Sequence, residues 1–415
     1  MSNTPAQYDF ILFGATSFVG ASVIRYITTQ KVNDTPFTWA VAARNPDKMR
    51  DALAHVPEDV MPDQLIADAT DLTSLQDLCA HTKVIMSTVG PYALYGETIL
   101  AACVESGTDY CDLTGETHWM MQMIRKYQQQ AVNTGARIVH AAGFDSIPSD
   151  IGMMQLQHLW TQHEQAPCQD VIMGVKSLKG GLSGGTIASM VTVIDISLKN
   201  AKLRRALSDP YALCSDSHPR TDQRTILLPR YSKRLKSWLA PFVMASVNAA
   251  VIHRSNQLSH CAYGQHLSYT EAVMLGPGMK GCIKASLYSC ALGAFFIGIA
   301  FKPTRWLMNR CGLTQPGDGP SPAAQDRGSF ELIFSGRKYS QTSHASKKIT
   351  LSLTGQSDPG YGWTAKALTQ SALCLAQDNL TQASGGFWTP ASLLGSALTT
   401  RLLIYTNMHF KHINT

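Results

Sequence analysis

Residues 8–20, YDFILFGATSFVG, contain the pattern that decides the fold. The first six are a short apolar run typical of a buried strand, and an amphipathic helix follows to about Gln30. Between them, Gly14 allows a sharp turn off the strand and Gly20 allows the helix to pack closely against it. A glycine-rich turn in this context, with free backbone N–H groups at the helix N-terminus, is typical of a site for a dinucleotide pyrophosphate.

The loop departs from the usual dinucleotide pattern at one position. Its spacing is Gly14-x-x-Ser17-x-x-Gly20, so a serine stands where a glycine would clear space for the phosphates. A serine hydroxyl at this place can cap the helix or bond a phosphate. The alternative to nucleotide binding is a purely structural turn. The predicted cofactor contacts of the loop are Gly14, Ala15, Thr16, Ser17, Phe18, Val19 and Gly20.

The first 150 residues continue this alternation of short apolar runs and helical stretches. Further strands are predicted at 38–43, 64–67, 84–89, 109–112 and 137–141, with helices at 97–106 and 117–134. Strands alternating with helices at this spacing indicate βαβ units and a parallel sheet covered on both faces. The sequence therefore predicts an α/β protein with a Rossmann-type, doubly wound parallel sheet in residues 1–150.

The remainder of the chain differs in charge and in pattern. Acidic residues outnumber basic ones in residues 1–150, whereas basic residues dominate afterwards, most strongly between Lys199 and Lys236. Two apolar stretches, 329–335 and 348–354, predict antiparallel strands. We therefore predict a second, α+β domain at 151–358 that faces the substrate. Residues 359–415 predict helices that pack back on the Rossmann domain.

The end of the second predicted strand indicates which dinucleotide is bound. The run there is Ala42-Ala43-Arg44-Asn45, without the carboxylate that holds a ribose 2′-hydroxyl in NAD sites. The forked guanidinium of Arg44 suits a 2′-phosphate instead. A solvated arginine at a strand end is the alternative. The predicted cofactor is NADP.

Two further strand ends carry candidate cofactor contacts. Asp68 follows the third strand, where a side chain can reach the adenine, although a helix-capping aspartate fits the pattern nearly as well. The fourth strand ends at the carboxyl edge of the sheet, where open α/β folds bind ligands. The candidates there are Ser87, Thr88, Val89 and Gly90, which could equally be ordinary strand residues.

Nine short blocks carry a resemblance to a known family. They are GATSFVG, AARNPDKM, STVGPYALYGE, YCDLTGE, HAAGFDSIPSD, GGLSGGT, APFVMASVN, PGDGPS and GGFWTP, in this order along the chain. Together they resemble the saccharopine dehydrogenase-like oxidoreductases, in particular the branch with the trans-acting enoyl reductases. The resemblance implies a Rossmann domain, an inserted substrate domain and C-terminal helices returning to the first domain. The family loop usually reads GATGF, so Ser17 is a departure.

Hydride transfer by a nicotinamide requires the protein to orient the substrate and supply a proton. Residues expected on loops at the carboxyl edge of the sheet are the candidate donors: Tyr92, Asp112, Glu116, Asp145 and Ser146. Among them we predict Tyr92 and Asp145 as the catalytic residues. Asp145 and Asp150 flank Pro148, so turn and cap roles are the alternative for both.

The leading functional prediction is an NADPH-dependent reductase of an enoyl or carbonyl group in an apolar acyl or lipid-type substrate. A saccharopine-type amino-acid dehydrogenase is an alternative, in which arginines would meet several substrate carboxylates. The candidates for that role are Arg204, Arg205, Arg224 and Arg230. A membrane-associated nucleotide-binding protein without turnover is the third possibility. The glycine-rich stretch 180–186 could line the substrate pocket or be a plain connection.

Composition excludes several other classes. With 45% hydrophobic and 15% charged residues, the chain is not a disordered or nucleic-acid-binding tail, and it shows no base-stacking motif. Ten cysteines without a CxxC pair, and no HExxH, predict neither a metal site nor a disulfide scaffold. The opening MSNTPAQYDFILFGA has no signal-peptide pattern, so we expect a cytoplasmic protein.

Two apolar runs, 237–252 and 285–301, raise the question of membrane contact. The second has 17 residues without a charge, which at 1.5 Å per residue reaches about 25 Å and is short for a bilayer core of about 30 Å. Each run could be a buried core helix. The alternative is a hydrophobic lip in the surface of a membrane, since the basic stretch precedes the first run. If the lip forms, we expect peripheral contact with the inner face of a membrane.

Overall fold

The computed structural model describes residues 6–180, 191, 193–196, 200–301, 303–305, 319–338, 347–380 and 384–413, which contain two seven-stranded sheets. The first sheet has the order β13-β6-β5-β4-β1-β2-β3, and all its strand pairs are parallel. Its strands are β1 Tyr8–Phe13, β2 Trp39–Ala43, β3 Asp63–Ile66, β4 Thr82–Ser87, β5 Asp109–Asp112, β6 Arg137–Val139 and β13 Gly386–Trp388. The strand order reverses between β1 and β4, and this is where such sheets bind a nucleotide.

Helices cover both faces of the first sheet because β1 is apolar on both of its sides. Phe10 and Leu12 face one core cluster, while Ile11 and Phe13 face another, as the two-residue period of a strand requires. The helices between these strands are α1 Phe18–Thr29, α2 Pro46–Leu53, α3 Leu72–Ala80, α4 Tyr92–Ser106 and α5 Thr117–Thr134. The predicted Rossmann-type, doubly wound sheet is confirmed.

The second sheet is mixed and has the order β14-β12-β11-β7-β10-β9-β8. β7 and β10 run parallel, and the other neighbouring strands are antiparallel. Its strands are β7 Asp170–Lys179, β8 Arg230–Ser232, β9 Ser237–Ala240, β10 Ser268–Met274, β11 Ser329–Lys338, β12 Lys347–Gln356 and β14 Met408–Ile413. The predicted antiparallel pair is β11 and β12, in register with Leu332 opposite Leu353. The second part of the fold prediction is thus also confirmed.

The helices of this part connect the two sheets and cover the second one. α6 Ile147–Glu164 follows β6 and packs on β11 so closely that a Cβ on Gly152 would lie 2.3 Å from the Phe334 ring. The remaining helices are α7 Ala201–Ser208, α8 Ala245–Leu258, α9 Gly278–Ala300 and α10 Pro322–Asp326. Short π-helical turns at Pro359–Trp363 and Pro390–Leu394 precede the last two helices.

The C-terminal segment supplies more than the helices predicted for it. α11 Thr364–Gln377 packs on the first sheet, and α12 Gly395–Tyr405 packs on α11. The Tyr26 hydroxyl of α1 donates to the Tyr405 carbonyl at 3.1 Å. The linker GGFWTP contains β13, and β14 ends the described chain, so this segment adds an edge strand to each sheet. Neither strand was predicted, because each is defined by its distant partner.

The two apolar runs, 237–252 and 285–301, differ in how far they are buried. Residues 237–252 divide into β9 and the first half of α8, whose residues from Asn248 to Asn256 are buried, so this run belongs to the core. Residues 285–301 belong to α9, in which Gly281, Ala285 and Ile299 are the buried positions. A core helix is therefore wrong for the second run. Within the described part of the chain, α9 is the one helix long and apolar enough to cross a membrane.

Candidate nucleotide and active site

The loop between β1 and α1 requires glycine at both of its ends. Gly14 has φ of +97°, and a Cβ there would lie 2.7 Å from the Thr88 Oγ1 atom. A Cβ on Gly20 would lie 2.4 Å from the Gly14 carbonyl oxygen. Both contacts are too short for any side chain, so the two glycines set the turn and the close approach of helix to strand.

Ser17 is the N-cap of α1. Its Oγ atom accepts a hydrogen bond from the Gly20 N–H at 2.9 Å and donates to Thr88 Oγ1 at 2.9 Å. The Thr88 hydroxyl donates in turn to the Gly14 carbonyl at 2.9 Å. The serine that departs from the family pattern therefore caps the helix and ties the loop to the end of β4.

The N-terminus of α1 retains donors for an anion. Phe18 and Val19 occupy the first turn, where backbone N–H groups have no intrahelical partner, and no acidic residue stands in that turn. Thr16 is exposed at the tip of the loop, while the Ala15 N–H is used by the Ala42 carbonyl at 3.3 Å. Free N–H groups and the positive end of the helix dipole fit a pyrophosphate.

A distant segment packs on the nucleotide loop. The ring of Phe18 makes an edge contact with Tyr361, with centroids 4.3 Å apart. Gly319 lies so close to the same ring that a Cβ would be 2.3 Å from it. Arg25, two turns further along α1, pairs with Asp326 of α10 at 3.2 Å. The nucleotide helix is thus held by Gly319, Asp326 and Tyr361, which lie about 300 residues further along the chain, an arrangement that no sequence signal indicated.

Arg44 and Asp68 lie at the carboxyl edge of β2 and β3. Arg44 is exposed, and no hydrogen bond or ion pair of its guanidinium is found in the described part of the chain. The Asp68 carboxylate accepts bonds from the Thr70 N–H and hydroxyl at 2.9 and 2.7 Å, and these bonds lower its pKa. Arg44 therefore remains available for a phosphate, while Asp68 is engaged in a local turn.

Tyr92 occupies a structural position rather than an exposed one. Its side chain is buried, its hydroxyl donates to the Ser87 carbonyl at 3.0 Å, and burial raises its pKa well above the usual value. This geometry does not favour the predicted role of Tyr92 as proton donor, because its hydroxyl proton is hydrogen-bonded to the Ser87 carbonyl inside the protein. Ser87 is also fully buried, whereas Val89 is partly exposed and Gly90 is exposed at the edge of the sheet.

Two other candidate acids are engaged in structural bonds. The Glu116 carboxylate accepts from the Tyr92 and Ala93 N–H groups at 3.0 and 2.9 Å and so caps the N-terminus of α4. The Asp112 carboxylate lies 2.8 Å from His140 Nδ1, and both side chains are buried. Both carboxylates are buried and are engaged with neighbouring groups.

The start of α6 holds a buried polar network. Ser146 donates to Asn248 at 2.9 Å, and Asn248 donates to Glu271 at 2.9 Å. The Asp150 carboxylate accepts from the Ser255 hydroxyl at 2.5 Å and from the Ala391 N–H at 2.8 Å. Burial raises the pKa of Asp150 to about 7 and that of Glu271 to about 7. Ser146 and Asp150 therefore connect α6 to α8 and to the C-terminal segment.

Asp145 is the candidate acid for which the described residues provide no hydrogen-bond partner. It follows β6 at the carboxyl edge of the first sheet, is partly exposed, and has no hydrogen-bond or ion-pair partner among the described residues. Burial raises its pKa to about 6. Next to it, Phe144 packs against Phe330 and Trp363, with centroids 4.8 and 5.8 Å apart. A carboxyl with a raised pKa and without a partner in the described part of the chain is suited to proton transfer.

Other predicted elements contribute less to this site. Gly180 is followed by the rest of the glycine-rich stretch, 181–186, which lies outside the described residues. The arginines considered for a polycarboxylate substrate lie on separate elements: Arg204 and Arg205 on α7, Arg224 beside Thr270 of β10, and Arg230 on β8. No cluster of metal-ligating side chains occurs in the described ranges, and the nine cysteines within them are free.

The fold and the nucleotide loop define a class of enzyme. The family described as the saccharopine dehydrogenase NADP-binding domain matches residues 10–139. A structure of apo saccharopine dehydrogenase (L-Glu forming) from Saccharomyces cerevisiae has a TM-score of 0.54 and 11% identity, covering 98% of this chain and 99% of that one. At this identity the likeness concerns the fold alone. The chain is an NADP-dependent oxidoreductase, and the predicted cofactor is confirmed.

Relatives of similar length identify the branch of this family more closely. A Mycobacterium tuberculosis protein provisionally named a trans-acting enoyl reductase, Rv2449c, is 36% identical over 417 residues, or 97% of each chain. A trans-acting enoyl reductase of Mycobacterium bovis is 32% identical over 416 residues, again 97% of each. The chain therefore belongs to the family of the trans-acting enoyl reductases among the saccharopine dehydrogenase-like oxidoreductases, as the sequence blocks indicated.

Proposed function

We propose that the chain reduces the carbon–carbon double bond of an apolar enoyl substrate with NADPH, and that Asp145 supplies the proton. The observation that supports this most strongly is the similarity to trans-acting enoyl reductases along nearly the full length of both chains. Because each alignment covers 97% of both chains, the similarity includes the second sheet as well as the nucleotide-binding sheet.

The reaction needs one hydride and one proton. When bound, NADPH supplies the hydride, which goes to the β-carbon of the enoyl group. The α-carbon then takes a proton from the protein. Asp145 suits this step for two reasons. The pKa of its carboxyl is raised to about 6, and within the described ranges no hydrogen-bond partner holds its proton in place.

The residues present fit the cofactor. The N–H groups of Phe18 and Val19 would hold the pyrophosphate, and Arg44 would pair with the 2′-phosphate. Val89 and Gly90 stand at the end of β4, where the nicotinamide half is expected. Asp145 follows β6 at the same edge of the sheet, two strands from β4.

The test is NADPH oxidation with three matched sets of substrates: trans-2-enoyl thioesters of increasing chain length, ketones of the same lengths, and 2-oxoglutarate with lysine. We expect turnover with the enoyl thioesters, with kcat/KM rising with chain length because apolar surface is buried. Turnover confined to 2-oxoglutarate with lysine would identify an amino-acid dehydrogenase instead. Tight NADPH binding without turnover in any set would favour a binding protein.

A further inference from the structure

Helix α9 exposes a continuous apolar stripe. Five large apolar side chains on one face of this helix or just beyond its end are more than half exposed: Met279, Ile283, Leu287, Ile297 and Phe301. Leu287, in the middle of the helix, is 66% exposed. From the first to the last of these residues the stripe is about 33 Å long. Soluble proteins rarely expose an apolar patch of this extent unless something binds to it.

A second set of exposed apolar side chains adjoins this stripe. Leu227 and Leu228, just before β8, are 72% and 75% exposed. Tyr231 on β8 is also exposed and contacts the ring of Trp238, with centroids 5.9 Å apart. Trp238 lies in turn against Gly281 of α9, where a Cβ would be 3.2 Å from its ring. We call residues 227–231 and the exposed face of α9 the apolar surface.

Charge on this surface has one sign. Between residues 223 and 301 the sequence contains a single acidic residue, Glu271, which is buried. The exposed charged side chains of the same range are all cations: Arg224, Arg230, Lys233, Lys236, Lys280 and Lys284. Apolar side chains with flanking cations and no exposed carboxylates are complementary to a bilayer with anionic headgroups.

The charges also argue against a second copy of this chain as the partner. A two-fold symmetric contact would place the same patch on both subunits, so Lys280 and Lys284 would meet cations of the other copy. Such a contact would have to overcome repulsion in a dehydrated interface. An anionic membrane meets the apolar and the basic residues at once.

Both ends of α9 are bound to other parts of the second domain, and these contacts fix the orientation of the helix. Before the helix, the Trp238 N–H donates to the Gly276 carbonyl at 2.8 Å. After it, the Arg305 Nε atom donates to the Ile299 carbonyl at 2.9 Å, and Arg305 pairs with Asp195 at 2.7 Å. A helix anchored at both ends with one face buried lies along the protein surface and does not leave it to span a bilayer.

We propose that the apolar surface inserts into one leaflet of an anionic membrane, with α9 parallel to the membrane plane and the flanking lysines and arginines at the headgroups. The proposal does not depend on which substrate the enzyme reduces. It names a membrane as the partner and the 23-residue helix α9 as its main contact.

The test uses the full-length protein with an environment-sensitive fluorophore (NBD) on Cys290, an exposed cysteine of α9. The Cys290→Ser protein, treated in the same way, corrects for labelling at other cysteines. Flotation is measured with phosphatidylcholine vesicles, alone or mixed with phosphatidylglycerol, at low and high salt. We expect flotation with the anionic vesicles, weakened by salt, with a blue shift of the label and quenching by spin-labelled acyl chains.

Two pairs of variants separate insertion from charge attraction. Ile283→Glu with Leu287→Glu removes apolar contacts, and Ile404→Glu, at an exposed isoleucine of α12, is its control. Lys280→Glu with Lys284→Glu reverses two charges, and Lys411→Glu on β14, at the opposite edge of the second sheet, is the matched single reversal. We expect both double variants to bind anionic vesicles about tenfold or more weakly. The controls should bind like wild type, and NADPH affinity should be unchanged throughout, which shows that the variants are folded.

Three results would overturn the proposal. The first is a lack of flotation under all conditions. The second is flotation that is insensitive to Ile283→Glu with Leu287→Glu, which would mean that charge alone attracts the protein. The third is a lipid-free dimer that does not float and that the same double variant dissociates, which would assign the surface to a second copy of the chain.

Discussion

The hydroxyl of Ser17 donates a hydrogen bond to the hydroxyl of Thr88 at 2.9 Å, and this bond joins the first turn of α1 to the residue after β4. The two strands that these residues follow, β1 and β4, are the pair at which the strand order of the sheet reverses. The position and shape of the nucleotide loop therefore depend on a contact between residues 71 apart in sequence.

Ser17→Ala should destabilise α1 because it removes the cap on the Gly20 N–H. A lost N-cap costs about 1 kcal/mol, so we expect a melting temperature lower by about 2 °C and weaker NADPH binding. Ser17→Gly is the matched comparison, since glycine at an N-cap costs only a few tenths of a kcal/mol. Thermal unfolding and fluorescence titration with NADPH measure both effects. Equal losses in the two variants would contradict the capping role.

Gly20→Ala should impair NADPH binding much more than its size suggests. The new Cβ would lie 2.4 Å from the Gly14 carbonyl oxygen, so the helix must move away from the loop. Gly293→Ala on α9 is the control, because nothing lies within 4 Å of that position and alanine favours a helix. We expect lower stability and little NADPH binding for Gly20→Ala, and an unchanged NADPH affinity for the control.

Arg44→Ala should weaken NADPH binding about ten- to a hundredfold and leave NADH binding nearly unchanged, since one charge-assisted bidentate contact to the 2′-phosphate is lost. Arg50→Ala, at another exposed arginine of the same helix region that already pairs with Asp47, should have little effect. Titration of each protein with both nucleotides measures this. Equal affinity of wild type for NADH and NADPH would refute the role of Arg44.

Asp145 should make kcat/KM fall on the alkaline side of the pH profile. A proton donor with a pKa of about 6 is protonated below that pH, so kcat/KM should be high below about pH 6 and fall as the pH rises. Asp145→Asn should lower kcat about a hundredfold or more and abolish this dependence, with NADPH affinity retained. An unchanged profile in Asp145→Asn would assign the proton to another group.

Glu271 should make the protein more stable in mild acid than at high pH. Its pKa in the folded protein is raised to about 7 by burial, so the folded state binds more protons than the unfolded state between about pH 4.5 and 7. Stability from this group is present below that window and is lost as the pH rises through it. Glu271→Gln, which keeps the shape, should melt higher than wild type at pH 8 and show a flatter pH dependence. Parallel melting curves for the two proteins would contradict this.

Local patterns determined the first sheet and the cofactor. The boundaries of β1 and α5 follow from apolar periodicity and from the turn residues next to them, and these signals lie within each segment. The glycines of the loop could be recognised from their spacing alone, although only Gly20 is required by a local contact, with Gly14, while Gly14 is required by Thr88 after β4. The resemblance to a known family allowed the class of enzyme to be predicted as well.

The catalytic candidates could not be separated from sequence. Tyr92, Glu116 and Asp145 all follow strands at the same edge, and the pattern treats them alike. Tertiary contacts distinguish them: the Tyr92 hydroxyl is bound to Ser87, Glu116 caps α4, and Asp145 is left without a partner in the described ranges. Which proton is available depends on neighbours that fold next to it from elsewhere in the chain.

The sequence by itself determined the Rossmann architecture, the nucleotide loop and the preference for NADP, because these depend on residue types within one strand, one turn and one helix. Only the tertiary structure decided that 237–252 is core while α9 is exposed, although the two runs are similar in composition. It also decided that β13 and β14 join different sheets. Burial and strand pairing both depend on contacts between segments that are distant in sequence. The sequence of a segment shows that its side chains are apolar, but it does not show whether another segment covers them.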